Sequence, residues 1–108
     1  MSWIPATEEE VRGEVHEGWI AIDAALRSEL GHYLVDLSPA SLKRSGEEEN
    51  VFIVARGAGC VVFFDDVEDE FGIAKEIDGR LSDISFCGEL VFALQALHRL
   101  EGDDRSIG

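Results

Sequence analysis

At 108 residues and 45% apolar side chains, the chain has the length of one domain, enough to bury about two-thirds of its unfolded surface without covalent staples. Its 23 acidic residues face nine Lys and Arg, for a net charge of −14, which excludes nucleic acid as a ligand because phosphates would be repelled. The same charge steers a basic protein partner inward, and no apolar run approaches the roughly 20 residues that cross a bilayer.

The first residues, MSWIPATEEE, have neither the basic start nor the apolar stretch of a signal peptide, so a cytoplasmic protein is expected. Residues 1–108 are read as a single domain, with 1–6 and 103–108 frayed. Thr7 is placed to cap a helix and Glu10, three residues on, completes a capping box. Val11, Val15, Trp19, Ile22, Leu26 and Leu30 then fall on one helical face, and Gly31 is a natural stop. The spacing predicts a helix over 7–30, weakened by Gly13 and Gly18, with a break near Gly18 or a short strand at Trp19–Ile22 as the alternatives. His32–Leu37 reads as a short extended piece. Ser38-Pro39 resembles a cap followed by Pro at the first helical position, so Pro39–Arg44 is expected to form one helical turn. Ser45–Glu49 reads as a polar loop.

The stretch 50–66, NVFIVARGAGCVVFFDD, organises the rest. Val51–Ala55 and Cys60–Phe64 have strand length and strand composition, and Arg56-Gly57-Ala58-Gly59 supplies the positive-φ positions of a tight reversal. Neither run alternates apolar with polar, so both faces of this hairpin are expected to be covered, by helices on opposite faces or by a partner. Asp65–Glu70, DDVEDE, is an acidic turn. Phe71–Ile77 is a third strand, with Phe71 and Ile73 on one side and Gly72 and Ala74 on the other. Asp78-Gly79 signals a type I′ hairpin turn, and Arg80–Phe86 follows as a fourth strand. A last helix starts near Cys87-Gly88-Glu89, buries Leu90, Val91, Leu94, Leu97 and Leu100, and ends at Gly102. The expected fold is α+β: a four-stranded antiparallel β-meander with an N-terminal and a C-terminal helix.

Motifs for chemistry are sparse. His16, His32 and His98 are scattered without metal-ligand spacing, and the acidic turn departs from a calcium loop in the placing of its Gly and of the bidentate Glu. Neither a metal nor a cofactor is expected. Cys60 and Cys87 are read as reduced thiols, Cys87 near a helix start where a thiol pKa falls. There is no nucleophile elbow, and Cys87 and His98 on one helix would stand about 16 Å apart. The reading is therefore a non-enzymatic one. In an antiparallel hairpin, the start of one strand and the end of the next share an end. Glu47, Glu48 and Glu49 are thus expected to join Asp65, Asp66, Glu68, Asp69 and Glu70 in one acidic rim. Phe71 or Tyr33 is an aromatic anchor beside it or a plain core residue, and Arg56 and Arg80 help order the charge.

The run Val61–Leu100, VVFFDDVEDEFGIAKEIDGRLSDISFCGELVFALQALHRL, resembles in character the immunity proteins of bacterial polymorphic and contact-dependent toxin systems. The resemblance implies an inhibitor that binds a cognate toxin, often a basic nuclease, and occludes its active site. It would be monomeric in that complex, with a dimer open when free. A small acidic secretion chaperone, holding an apolar client segment in a groove, is the competing reading.

Overall fold

The computed structural model describes residues 7–107, and the side chains of Arg44 and of 103–107 are left aside. The expectation for 1–6 lies outside the described residues. Helix α1, Glu8–Ile20, starts as its sequence requires. The Thr7 hydroxyl accepts from the Glu10 amide at 3.1 Å and the Glu10 carboxylate accepts from the Thr7 amide at 3.2 Å. The predicted single helix is in fact two. Ala21–Asp23 interrupts it, and α2, Ala24–Leu30, follows with Gly31 as its cap. One 3₁₀ turn, Gly31–Tyr33, leads into the sheet.

The sheet has five strands rather than four: β1, Leu34–Arg44; β2, Glu47–Gly57; β3, Cys60–Asp65; β4, Glu70–Ile77; and β5, Arg80–Gly88. The additional strand is β1, where a helical turn was expected at Pro39–Arg44. Pro39 pairs with Phe52 in register, on a strand that has a neighbour along one side over most of its length, the position in which a missing N–H is tolerated. Likewise Ser45–Glu49 is not a loop. Ser45 and Gly46 alone make the turn, at φ +52° and +82°, and Glu47 already belongs to β2. Ala58-Gly59 and Asp78-Gly79 repeat that pair of positive φ angles, so three of the four hairpins turn on two residues of the I′ kind.

Successive strands pair antiparallel in the order β1-β2-β3-β4-β5. The sheet then curls until β1 meets β5 in parallel at Ser41 and Arg80, where the Ser41 amide donates to the Gly79 carbonyl at 2.8 Å. Register shifts bend it: one in β1 between Leu34 and Ser38, one between Ile53 and Ala55 of β2, two along β4 against β5. The extra residue at such a shift increases local twist. Helix α3, Leu90–Ile107, closes the chain and runs through Gly102, which was expected to end it.

Curling explains how apolar runs without alternation are buried on both faces. All five strands contribute to an interior of Ala40, Leu42, Val51, Ile53, Val61, Phe63, Ala74 and Leu81. The outer face of β2–β4 carries Val54, Ala55, Val62, Phe64, Phe71 and Ile73 under the helices, against Val11, Ile22, Leu30, Tyr33, Leu90, Ala93, Leu94 and Leu97. The second face is thus filled by the sheet itself, not by opposite-face helices or by a partner. Among the described residues no helix is long and apolar enough to cross a membrane.

Candidate functional site

The acidic segments start from the geometry expected of them. Phe52 pairs with Phe64, so the acids at the start of β2 and those at and just after the end of β3 share one end of the hairpin. Glu47 and Glu48 stand in register with Arg44 and Lys43 of β1, and Glu49 with Leu42. Glu48 lines a cleft of about 370 Å³ with Ser41, Leu42, Lys43, Arg80 and Leu81. Arg80 begins β5 at the far end of β4, opposite Ile77. From Glu70 to Ile77, β4 spans about 23 Å at ~3.3 Å per residue. Glu48 therefore stands beside Arg80, toward the opposite end of β4 from Glu70.

Within DDVEDE each residue has a different setting. Asp65 is fully buried at the end of β3, its Oδ1 accepting from the Val67 amide at 3.2 Å. This Asx turn shapes the loop, and burial takes Asp65 out of any contact surface. Asp66 is half-buried, while Glu68 and Asp69 are exposed. Asp69 has φ +54°, a conformation Asp tolerates better than most residues. Phe71 is 5% exposed and packs edge-on against Phe64, ring centres 5.1 Å apart. Tyr33 is buried too. Both are core residues, not exposed anchors. Arg56 pairs with Glu76 and reaches the Ser38 hydroxyl at 3.3 Å, so of the two arginines only Arg80 stands near a predicted acid.

Asp69 and Glu70 open onto a second cleft, about 440 Å³ in volume. Its lining draws on four parts of the chain: α1 with the residues just after it, β3, the turn into β4 with the start of that strand, and the junction of β5 with α3. Among the described residues, Glu14, Glu17, Asp69, Glu70 and Glu89 are the charged residues of the lining, and every one is acidic. Ile22, Phe64, Phe71 and Leu90 supply apolar walls. The helices meet here at Gly18: a Cβ on it would lie 2.9 Å from the Leu90 Cβ, so glycine permits α3 to start against α1. Burial, with Asp69 and Glu17 beside it, pushes the Glu14 carboxyl above the ordinary carboxylate range.

Glu14, Glu17 and Glu89 were not singled out from the sequence. The available signal was phase: Glu14, Gly18 and Ala21 recur at helical spacing beside the apolar stripe of α1. Nothing local announced that Glu89 would face them. Among the described residues no three His, Cys, Asp or Glu side chains are grouped to hold a metal ion.

Two groups with chemical potential lie elsewhere. His98 engages both ring nitrogens, Nδ1 with the Tyr33 hydroxyl at 2.9 Å and Nε2 with Glu29 at 3.0 Å. The Cys87 thiol pKa is raised, first by burial and then by Glu70, against smaller lowering effects from Arg99 and a backbone hydrogen bond with Ile73. The direction is opposite to that expected of a thiol at a helix start. No family model, curated protein or solved structure matches this chain.

Proposed function

We propose that this chain is an inhibitor of the immunity-protein kind, which binds a basic toxin domain, of the nuclease class, and covers the cations that hold its substrate. The observation that supports this reading is the cleft between α1, the β3–β4 turn and α3, where, among the described residues, the five charged side chains of the lining are all carboxylates. Carboxylates on a rigid scaffold present charge much as a phosphate backbone does, so they pair with the same lysines and arginines. The protein acts by binding rather than by catalysis, in the cytoplasm, without metal or cofactor, as a monomer in its complex.

The test is co-purification with the product of the adjacent reading frame, followed by association kinetics at rising salt. A carboxylate-led interface associates quickly at low ionic strength and slows steeply as salt is added. A salt-insensitive rate, or capture of an unfolded apolar segment instead of a folded basic domain, replaces this reading with that of a secretion chaperone.

A further inference from the structure

The three helices are attached to the molecule by different means. Helix α2 and the 3₁₀ turn are tied to α3 by polar contacts, Glu29 and Tyr33 each meeting His98. Helix α1 has no such tie. Among the described residues, the hydrogen bonds and ion pair of its side chains stay within the helix and its cap, Thr7 with Glu10 and Arg12 with Glu8 at 3.4 Å. Val11 is its one fully buried side chain, with Val15 and Trp19 partly buried against the core. Gly13 and Gly18 lower its helix propensity. Apolar packing of modest extent is therefore what holds α1 down.

Charge works against that packing. Glu14 and Glu17 of α1 share a cleft with Asp69 of the β3–β4 turn, Glu70 at the start of β4 and Glu89 just before α3. The cations of α1 are Arg12, paired with Glu8, and the exposed His16, and neither lines this cleft. Burial, then Asp69 and Glu17, raises the Glu14 pKa, the same repulsion read at one group. The Cys87 thiol near Glu70, its pKa raised by burial and lowered less by Arg99, stays neutral below pH 7. Between α1 and α2 the chain at Ala21–Asp23 is not helical, and element-terminal residues of this kind absorb hinge motion.

We infer that α1 is a hinged flap, opening as one unit about Ala21–Asp23 while α2, α3 and the sheet stay packed, and that the carboxylates facing it set how often it opens. An element with little buried surface opens at a lower free energy than the whole molecule unfolds. Opening uncovers the outer sheet face at Phe64 and Phe71. Acid or salt keeps that face covered, and neutral pH at low ionic strength releases it. The motion belongs to the free chain and is independent of which partner it binds.

Native-state hydrogen exchange on the intact protein tests this, with each rate divided by its intrinsic rate. At pH 7 and low salt, the amides of Val15, His16 and Glu17 are expected to share one opening equilibrium, well populated relative to that of Val62 in β3 and Leu94 in α3. That opening should fall about threefold on moving to pH 5 or on adding strong salt. A Glu14→Gln/Glu17→Gln variant should open less at pH 7 and lose most of its dependence on pH and salt. A His16→Gln control takes the imidazole of α1 out of the comparison. The salt series on the parent chain needs no substitution, so the test does not depend on how a variant folds. Exchange of the α1 amides through the same opening as Val62 and Leu94 overturns the flap. Opening that is equal at all pH values and salt concentrations, or unchanged in the double variant, overturns its control by the carboxylates.

Discussion

Tyr33 and His98 are joined across 65 residues of chain, the hydroxyl 2.9 Å from Nδ1, and Glu29 holds the other ring nitrogen at 3.0 Å. In the neutral imidazole with its proton on Nε2, the tyrosine donates and the carboxylate accepts, so each ring nitrogen is satisfied. The Tyr33 ring is buried, also meeting His32 with centroids 4.0 Å apart. The three residues bind the end of α2 and the 3₁₀ turn to the middle of α3. Tyr33→Phe keeps the ring and removes the hydrogen bond, with an expected cost of about 1 kcal/mol. Glu29→Gln acts at a half-exposed pair and should cost less than about 1 kcal/mol. Urea denaturation checks both, as a lower midpoint at unchanged slope. A Tyr33→Phe midpoint equal to that of the parent would mean the hydroxyl contributes nothing to docking these helices.

Two glycines respond in opposite directions to the same methyl group. A Cβ on Gly72 would lie 2.7 Å from Phe63 Cζ and 3.0 Å from the Ser85 carbonyl oxygen. Phe63 is fully buried inside the barrel, so neither neighbour yields freely. Gly72→Ala should destabilise by about 1–3 kcal/mol through overpacking. Gly13 lies within α1, where a Cβ meets nothing within 4 Å. Gly13→Ala should stabilise by about 0.5–1 kcal/mol through reduced backbone entropy of the unfolded chain. Thermal melts of the two variants under one buffer read the contrast directly, and two shifts of like sign would contradict it.

These same residues show how far the fold was legible. The hairpins at Ala58-Gly59 and Asp78-Gly79 were readable because a two-residue turn with positive φ is a local demand. The capping box at Thr7 and Glu10 is local as well. Strand β1 was hidden because Ser38-Pro39 carries a local helix-start signal that pairing with Phe52 and Ile53 overrides. Closure of the sheet through Ser41 and Arg80 depends on bulges along three strands, and no short stretch encodes their sum. The site divides in the same manner. Asp69 and Glu70 announced themselves by density of charge, whereas Glu14, Glu17 and Glu89 reach the cleft only through the approach of α1 and α3 at Gly18 and Leu90.

Glu14 ties stability to pH. Burial and the neighbouring charges of Asp69 and Glu17 raise its folded pKa above the ordinary carboxylate value. The folded chain therefore holds this proton more tightly than the unfolded chain does. The resulting stabilisation is complete below the ordinary Glu range and disappears as pH rises through the folded value. At neutral pH the ionised carboxylate is a net cost, and Glu14→Gln should melt at a higher temperature than the parent. The difference should shrink in strong salt, which screens Asp69 and Glu17, and should close or reverse in acid, where the parent is also neutral. A Glu14→Gln variant less stable than the parent at pH 7 would show the carboxylate to be engaged in a favourable contact instead.

Cys87 makes a chemical prediction. Burial raises its pKa first, Glu70 adds to the rise, and Arg99 opposes it. Alkylation proceeds through the thiolate, so at mildly alkaline pH iodoacetamide should modify Cys87 more slowly than a free thiol. Replacing Cys60 by Ala leaves one reporter. In that background Glu70→Gln should speed the reaction by lowering the pKa, while Arg99→Gln should slow it further. The midpoint of the rate–pH profile should move down in the first variant and up in the second, a pair of opposite shifts that a change in access alone does not produce. Linkage gives the matching stability trend: the raised thiol pKa favours the folded state fully below the ordinary thiol range and loses that contribution as pH climbs through the folded value. Equal alkylation rates in parent and Glu70→Gln would separate Cys87 from the acidic cleft.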